Sequence, residues 1–384
     1  MLEICPKNKC TGCAACMNKC PHKAISMQIE KRLGHLYPRI DQELCIDCGA
    51  CTKVCPSIHI VPFQLARIAY AGRLIDEKNY LSSTSGGAAT ALAEVIIKQN
   101  GVVYGCAMLP DVAVRHIRID TLADITKLKG SKYVQSTIGT TYQSIRTDLL
   151  QQKKVLFIGT PCQCAGLISY IGPSKLKENL ITVDLICHGT PSLYYLQQHV
   201  AKKTGKIKDR IVTFRENSEY IFSIYNGSNM LYSSNIWTNK YQDEYYNAFI
   251  DGYTCRESCH TCQYAKPERC TDITIGDFWG LKQKMPFNER NGCSVLIPNT
   301  PQGTLLISKI QDSFLLFERP LTEAIEGNTQ LREPKVYNKK ILTFIYLCKI
   351  VDISTAYKLI TIKEQFYKFS NILKQNIKNI IQKK

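Results

Sequence analysis

The feature that most constrains this sequence is a cysteine motif that occurs twice near its start. Each copy reads Cys-x2-Cys-x2-Cys-x3-Cys-Pro, and the second copy follows the first by 35 residues. The cysteines are Cys10, Cys13, Cys16 and Cys20 in the first copy and Cys45, Cys48, Cys51 and Cys55 in the second. Three thiolates at this spacing wrap around a cubane, and the proline turns the chain away. The repeat therefore predicts two 4Fe-4S centres.

The duplication also predicts how the ligands are shared. In two-cluster ferredoxins the fourth cysteine of each run binds the other cluster. We therefore expect Cys55 to complete the first centre and Cys20 to complete the second. Residues 24–40 alternate like two strands around Gly34, which predicts an α+β ferredoxin-like domain with the order βαββαβ over residues 1–60. A pair of zinc sites is the alternative, but such sites usually space two CxxC pairs by a dozen or more residues.

Composition supports metal binding over disulfide stapling. The chain has 384 residues, 45% of them hydrophobic, so it can bury a sizeable core without disulfides. Its nineteen cysteines are then better explained as thiolate ligands in a reducing compartment. The start of the chain has no apolar leader, and the longest apolar runs, such as 341–348, are too short to span a bilayer. We therefore predict a cytoplasmic location.

From about Val61 helices alternate with short apolar strands, which predicts a larger α/β domain over residues 61–333. The segment Ser85-Gly86-Gly87 precedes a clear helix, a pattern that favours a phosphate cradle, although a plain helix cap is the alternative. Two later strands end at Cys162 and at Cys187-His188. Because ligand sites collect at the carboxyl ends of parallel strands, we expect these cysteines at one edge of the sheet.

A further cysteine cluster contains Cys255, Cys259, Cys262 and Cys270 within sixteen residues. One interpretation is a local site for zinc or a cluster made of these four side chains. The other is that Cys259 and Cys262 join Cys162 and Cys187 around a single cubane. The spacing alone does not decide between them. Cys5 lies outside every motif, and we interpret it as a spare thiol.

Taken in order, these motifs resemble the beta subunit family of coenzyme F420-reducing hydrogenases and dehydrogenases, in the version fused to an N-terminal ferredoxin. The matching stretches are Ser85–Gly87, Gly130–Tyr133, Gly159–Gln163, Asp184–Ser192, Ser258–Cys262 and Asp272–Gly280. The resemblance implies FAD and a third 4Fe-4S centre, the latter held by Cys162, Cys187, Cys259 and Cys262. Cys255 and Cys270 fall outside the shared set, and Cys255 remains a reserve ligand.

The same resemblance implies which residues meet the flavin. They are Ser85, Gly86, Gly87 and Thr90 in one segment, and Gly130, Ser131, Lys132, Tyr133 and Ser136 in another. Three polar residues in the matching motifs, Lys132, His188 and Asp277, would orient cofactor or substrate as catalytic residues. A purely structural role is the alternative for each of them.

These observations predict an iron-sulfur flavoprotein oxidoreductase. FAD would exchange a hydride with the deazaflavin coenzyme F420 or another organic substrate, and single electrons would pass between the flavin, the clusters and a redox partner protein or ferredoxin. The direction of flow stays open. One alternative is a non-catalytic iron-sulfur carrier subunit that docks between two redox partners, and another is a zinc-scaffolded interaction module. The sequence has no nucleic-acid recognition motif.

The last segment, residues 334–384, is strongly basic. The whole chain has a formal net charge of +17, and this segment has eleven lysines against only Asp352 and Glu364, a surplus of +9. Apolar residues at helical spacing predict a basic amphipathic helix, and they are Phe366, Phe369, Leu373, Ile377 and Ile380. Such a helix docks on protein, or it makes peripheral contact with an anionic membrane.

Overall fold

The structure is a computed structural model that describes residues 3–216, 219–238, 241–289, 291–366 and 370. Its strands are β1 (Ile25–Ile29), β2 (Leu36–Ile40), β3 (Ile68–Leu74), β4 (Val102–Leu109), β5 (Ala113–Ile119), β6 (Val155–Gly159), β7 (Leu180–Leu185), β8 (Ile211–Thr213), β9 (Ile221–Asn226), β10 (Asn229–Asn235), β11 (Ile273–Asp277), β12 (Ser294–Pro298) and β13 (Phe314–Pro320).

The helices are α1 (Ala15–Lys19), α2 (Ala50–Lys53), α3 (Glu77–Ser82), α4 (Ala88–Lys98), α5 (Thr141–Leu150), α6 (Pro161–Ile171), α7 (Leu193–Thr204), α8 (Glu244–Ile250), α9 (Pro301–Ser308), α10 (Leu321–Gly327), α11 (Ile341–Leu347) and α12 (Ile353–Ile360). Short 3-10 helices cover Lys7–Lys9, Ala123–Leu128, Lys175–Asn179, Glu257–Thr261 and Thr329–Leu331.

The N-terminal segment keeps only the inner part of the predicted ferredoxin order. The antiparallel hairpin β1-β2, with Ile25 opposite Ile40, is flanked by α1 and α2. The two outer strands of the predicted βαββαβ order are absent from residues 3–60, so that prediction is wrong. Pro6 has no N–H for a ladder and precedes a 3-10 turn, while the backbone of His59 folds back onto the Cys55 carbonyl at 2.9 Å.

The larger part of the chain is built on a mixed eight-stranded sheet with the order β13-β3-β12-β11-β7-β6-β4-β5. Its middle strands, β4, β6, β7 and β11, run parallel, as the buried apolar runs predicted. The pairs β4-β5, β11-β12, β12-β3 and β3-β13 are antiparallel. Two antiparallel steps separate β3 from β11, so β3 also points its carboxyl end to the edge where the parallel strands end.

Side chains of the sheet alternate between two cores because successive residues of a strand face opposite sides. On β6, Leu156 and Ile158 face a core shared with α4 and α9. Val155 and Phe157 face a second core, which contains α5, α6 and the N-terminal cysteine segment. The N-terminal segment is therefore packed directly onto one face of the sheet through these two helices.

A second, three-stranded sheet has the order β10-β9-β8 and was not predicted. It packs with α7 and α8 in an aromatic core that includes Phe214, Phe222 and Tyr245, all at most 1% exposed. Helices α11 and α12 belong to the same core through Phe344 and Tyr357. The beginning of the basic segment is therefore docked on protein.

Most of the predicted amphipathic tail helix lies outside the described residues, among them Phe369, Leu373, Ile377 and Ile380. Within the described residues, the Lys358 ammonium contacts the buried Glu244 carboxylate at 2.6 Å, and Lys340 pairs with Glu364. None of the helices in the described ranges is long and apolar enough to cross a membrane.

Candidate iron-sulfur and flavin sites

The eight motif cysteines line two separate pockets. One pocket is lined by Cys10, Cys13, Cys16 and Cys55, together with Cys5. The other is lined by Cys20, Cys45, Cys48 and Cys51. We call them the first and the second cysteine pocket. Each holds three cysteines from one motif copy and the fourth cysteine of the other copy, which is the crossed arrangement that the duplication predicts.

Equivalent residues of the two copies have the same backbone conformation. Gly12 and Asp47 have φ of +69° and +53°, and Ala14 and Gly49, the residues before α1 and α2, have φ of +59° and +69°. A positive φ reverses the local curvature of the chain, so that each loop curls around its pocket. The duplication in the sequence is therefore a duplication of the cluster-binding loop.

All nineteen cysteines are free of disulfide bonds. Within the described ranges no group of three or more His, Cys, Asp or Glu side chains is arranged to share a single metal ion. The pocket cysteines line a wall around a space, as ligands of a four-iron cluster do, whereas ligands of one zinc ion converge on a point. The geometry therefore fits a cubane in each pocket.

The first pocket differs from the second in the burial of its cysteines. Its four motif cysteines are buried, and burial raises the pKa of Cys13 to about 12. The Cys5 thiol hydrogen-bonds to Cys10 and Cys55 and lowers their pKa values to about 7 and about 6. Cys5 therefore belongs to the wall of the first pocket, a position that its sequence gave no reason to expect.

The third group of cysteines forms at the sheet edge. Cys162 lies in the first turn of α6, where Gln163 Oε1 accepts the backbone N–H of Thr160 at 3.1 Å and fixes the start of the helix. Cys187 follows β7, and the 3-10 helix 257–261 carries Cys259 and leads into Cys262. Burial raises the pKa of Cys187, and the charges of Cys259, Cys162 and Cys262 raise it further.

These four cysteines lie close enough for their charges to interact, as the set implied by the family resemblance requires. Cys162 also acts on Cys270, so the choice of ligands stays a prediction. Cys255 lies beside Cys259, and its Sγ would be 2.8 Å from a Cβ placed on Gly189. Cys270 faces Asp184 and Cys164. We call Cys162, Cys187, Cys259 and Cys262 the third cysteine group.

The third group and the first pocket lie against each other. Gly166 is on α6, one turn after Cys162, and a Cβ at this position would be 3.0 Å from the Cys13 Sγ. The pKa of Cys13 is raised first by burial and then by the charge of Cys162. Helix α6 thus connects the sheet edge with the first pocket.

The predicted flavin segments are adjacent, because the Ser131 N–H donates to the Thr84 Oγ1 at 3.0 Å. The glycines of the first segment also have a packing role. A Cβ on Gly86 would lie 2.1 Å from the Gly72 carbonyl oxygen, and one on Gly87 would lie 2.4 Å from Leu74. The missing side chains therefore make room for neighbouring protein atoms, and the phosphate cradle stays a prediction.

Other residues of these segments fit a flavin nucleotide better. Gly130 has φ of +82°, and no atom lies within 4 Å of where its Cβ would be. The Ser85 hydroxyl is buried and has no hydrogen-bond partner among the described residues. A buried polar group without a partner favours a ligand beside it. The candidate flavin surface is therefore the loop at Gly130 with Ser85.

The remaining predicted flavin residues bond within the protein. Lys132 Nζ donates to the carbonyls of Leu128 and Lys129 at 2.7 Å, and burial lowers the pKa of Lys132 to about 8. Ser136 Oγ contacts His116 Nδ1 at 3.0 Å. Three further contacts involve predicted residues: Thr90 Oγ1 lies 3.2 Å from Ser83 Oγ, Gln163 Nε2 donates to Ser136, and Tyr133 stacks on Phe249.

Two of the three predicted catalytic residues lie at the same edge of the sheet. His188 follows β7 and Asp277 ends β11, the neighbouring parallel strand. Burial and the Lys335 charge lower the pKa of His188, whereas Asp277 acts in the opposite direction. The Asp277 Oδ2 accepts from Arg215 Nη1 at 2.8 Å. Lys132 is held by the helix carbonyls and is not part of this pair.

Sequence analysis missed two buried arginines at these sites. Arg215 holds Asp277 and lies 4.7 Å above the Tyr220 ring. Arg256 is 1% exposed and lies between the first pocket and the third group. The position of Arg256 between Cys255 and Cys259 was the only available signal in the sequence.

Family models match both parts of the chain. Residues 152–324 match the C-terminal part of the beta subunit of coenzyme F420 hydrogenase/dehydrogenase. Two 4Fe-4S dicluster domain models match residues 9–58 and residues 37–109. The predicted resemblance is therefore confirmed: an iron-sulfur dicluster segment precedes a segment that matches the beta subunit of coenzyme F420 hydrogenase/dehydrogenase.

Individual proteins match shorter shares of the chain. The coenzyme F420-dependent sulfite reductase of Methanocaldococcus jannaschii is 26% identical over 168 residues, which are 43% of this chain and 26% of that protein. An uncharacterized protein of the same organism is 25% identical over 190 residues, 42% of this chain and 52% of that protein. The chain thus spans about a quarter and about half of these relatives.

A solved structure, from the F420-reducing NiFe hydrogenase complex of Methanosarcina barkeri, aligns with a TM-score of 0.47 at 17% sequence identity. The alignment covers 79% of this chain and 94% of that chain.

Proposed function

We propose that this protein is an iron-sulfur flavoprotein oxidoreductase that moves electrons between an organic hydride donor or acceptor and a redox partner protein. The observation that carries the proposal is the continuous series of three cysteine sites. Ser136 of the second predicted flavin segment contacts Gln163, the neighbour of Cys162 in the third group. Helix α6 connects this group to the first pocket, and each of the two pockets takes its fourth cysteine from the other motif copy.

Each site would hold one 4Fe-4S centre through four thiolates. The first pocket would use Cys10, Cys13, Cys16 and Cys55, the second Cys20, Cys45, Cys48 and Cys51, and the third group Cys162, Cys187, Cys259 and Cys262. Bound FAD would supply the conversion between a hydride and single electrons, which the clusters carry one at a time.

The chain's own residues would hold and orient the flavin and its reactant. Gly130 and Ser131 present backbone at an open surface, and the unpartnered Ser85 hydroxyl faces the protein interior beside them. His188 and Asp277 would orient the reactant at the strand ends. Arg215 would fix the Asp277 carboxylate for this role. Coenzyme F420 is the proposed reactant, on the strength of the family match to residues 152–324.

The second pocket is the proposed exit to the partner. Cys48 is exposed, and the neighbouring side chains Leu44 and Ile46 are 50% and 62% exposed. An apolar surface around an open cluster site suits transient docking of a ferredoxin or another electron carrier. The lack of disulfide bonds among the nineteen cysteines supports a reducing, cytoplasmic setting for this exchange.

Anaerobic purification with iron, acid-labile sulfide and flavin quantification tests the proposal. We expect about twelve iron atoms per chain and one flavin, with bleaching of the flavin absorbance when reduced coenzyme F420 is added. About eight irons would remove the third centre. Clusters without any flavin would instead support the non-catalytic carrier role, and unchanged flavin absorbance would exclude coenzyme F420 as donor.

A further inference from the structure

Arg256 is the largest side chain in the described part of the molecule that is almost fully buried. Its guanidinium donates to the Leu36 carbonyl at 2.6 Å, to Gln135 Oε1 at 3.0 Å and to the Cys10 carbonyl at 3.4 Å. It also lies 4.5 Å from the centre of the Tyr37 ring. All of these partners are neutral.

The buried charge has no carboxylate partner among the described residues, none of which forms an ion pair with it. Taking a guanidinium out of water is costly unless an opposite charge compensates for it. Hydrogen bonds to carbonyl and amide oxygens satisfy the donors but leave the net charge in place. The fold therefore keeps a positive charge at this position for an anion that the protein's carboxylates do not supply.

The nearest candidate anions are the thiolates of the first pocket and of the third cysteine group, which lie on either side of Arg256. On one side, a Cβ on Gly12, between Cys10 and Cys13, would lie 2.5 Å from the guanidinium nitrogen. On the other side, the Arg256 carbonyl accepts the Cys259 N–H at 2.9 Å. The Arg256 charge acts on Cys10 of the first pocket and on Cys162 and Cys259 of the third group.

Neighbouring residues fix the guanidinium in this position. Gln135 accepts from Arg256 through its Oε1, while its Nε2 donates to the Thr11 carbonyl at 2.9 Å. Ser258 Oγ donates to the Cys10 carbonyl at 3.1 Å. Arg256, Gln135 and Ser258 together hold the first cluster-binding loop against the larger domain. Hydrogen bonds therefore hold the guanidinium of Arg256 in a fixed position beside the first pocket.

We propose that Arg256 is the shared counter-charge of the first and third 4Fe-4S centres and raises the reduction potentials of both. This inference rests on the cluster sites of the proposed function. A four-thiolate cubane is anionic and gains one more negative charge when it accepts an electron, so a fixed positive charge nearby stabilises the reduced form. The second pocket has no such contact with Arg256 and serves as an internal reference.

The test is a potentiometric titration of the intact holoprotein, followed by electron paramagnetic resonance. The signals are assigned by their loss in Cys48→Ser for the second centre and in Cys262→Ser for the third. In Arg256→Gln we expect the first and third centres to favour the oxidised state about tenfold more, which is about 59 mV for one electron. The second centre should shift much less. Arg256→Lys, which keeps the charge, should stay close to the parent protein.

A second variant covers the case in which Arg256→Gln loses its clusters. Gln135→Glu keeps the oxygen that accepts from Arg256 and adds a compensating negative charge, at the loss of the Nε2 donor to the Thr11 carbonyl. It should lower the first and third potentials in the same direction. Equal shifts in all three centres, no shift, or the same shift in Arg256→Lys as in Arg256→Gln would overturn the proposal. An iron content of about eight in the parent protein would instead mean that the third centre itself is absent.

Discussion

The two cysteine pockets of the N-terminal segment have the same ligand spacing and the same backbone turns, yet their surroundings differ. The first pocket is buried, with α6 on one side and Arg256 on the other. The second pocket is lined only by residues 20–51 and exposes Cys48. The motif determines which cysteines share a pocket. The rest of the chain determines how far each pocket is buried and which charges lie beside it.

This difference gives the two sites distinct roles in the proposed function. The first pocket can exchange electrons only with its neighbours inside the molecule. The second pocket faces solvent, where a partner protein can approach it. We therefore expect the two sites to differ in electron transfer and in their sensitivity to oxidation.

Replacing one ligand in each pocket should have unequal consequences. Cys13→Ser and Cys48→Ser should each remove about four irons per chain. In Cys13→Ser, electrons that enter through the flavin should no longer reach the second centre, because the first centre lies between. In Cys48→Ser the first centre should still be reduced. Stopped-flow reduction with iron analysis measures both, and reduction of the second centre in Cys13→Ser would contradict the proposed order.

Oxidative loss of iron should distinguish the pockets in the parent protein. We expect limited exposure to oxygen or ferricyanide to destroy the second centre several-fold faster than the first, because Cys48 is exposed and its three companions are half-buried, while the cysteines of the first pocket are buried. Electron paramagnetic resonance of samples taken during the exposure follows both centres. Equal rates would show that burial does not protect the first pocket.

The contact between α6 and the first pocket should be sensitive to one methyl group. A helical Gly→Ala change usually stabilises a protein, but a Cβ on Gly166 would lie 3.0 Å from both the Cys13 Sγ and the Tyr142 hydroxyl. Gly166→Ala should therefore destabilise the holoprotein by about 1–3 kcal/mol, measured as a lower thermal midpoint under anaerobic conditions. A higher midpoint would mean that the helix does not press on the pocket.

The smallest effect is expected for Cys5. The four motif cysteines suffice for a cubane, so Cys5→Ala should leave the iron and sulfide content unchanged even though Cys5 contacts Cys10 and Cys55. Cys10→Ser is the matched variant, since it removes a motif ligand from the same pocket. A loss of about four irons in Cys5→Ala would make Cys5 a ligand and revise the motif assignment.

Sequence analysis predicted what depends on local spacing. The crossed cysteine sets follow from a repeat within the first 60 residues, and β6 and β7 follow from buried apolar runs that end at Cys162 and Cys187. The parallel pairing of these strands then brings the cysteines to one edge. Each of these steps needs only the period of a short segment and a general rule of sheet geometry.

What sequence analysis missed depends on long-range contacts. The Arg256 guanidinium meets the Cys10 carbonyl across 246 residues of sequence. Gly86 resembles a phosphate-binding glycine, but its missing side chain makes room for the Gly72 carbonyl. Gly130, by contrast, is open. Both positions are glycine in the sequence. Only the folded structure distinguishes a glycine that packing requires from one with free space around it.

The division between the two pockets also bears on how the molecule matures. All eight motif thiols emerge from the ribosome within the first 55 residues, so both cubanes can be inserted while most of the chain is still unmade. The lid over the first one, α6 and Arg256, arrives 100 to 200 residues later. In the proposed function, iron in the first pocket would therefore be covered by later parts of the chain, whereas Cys48 would keep the second site accessible.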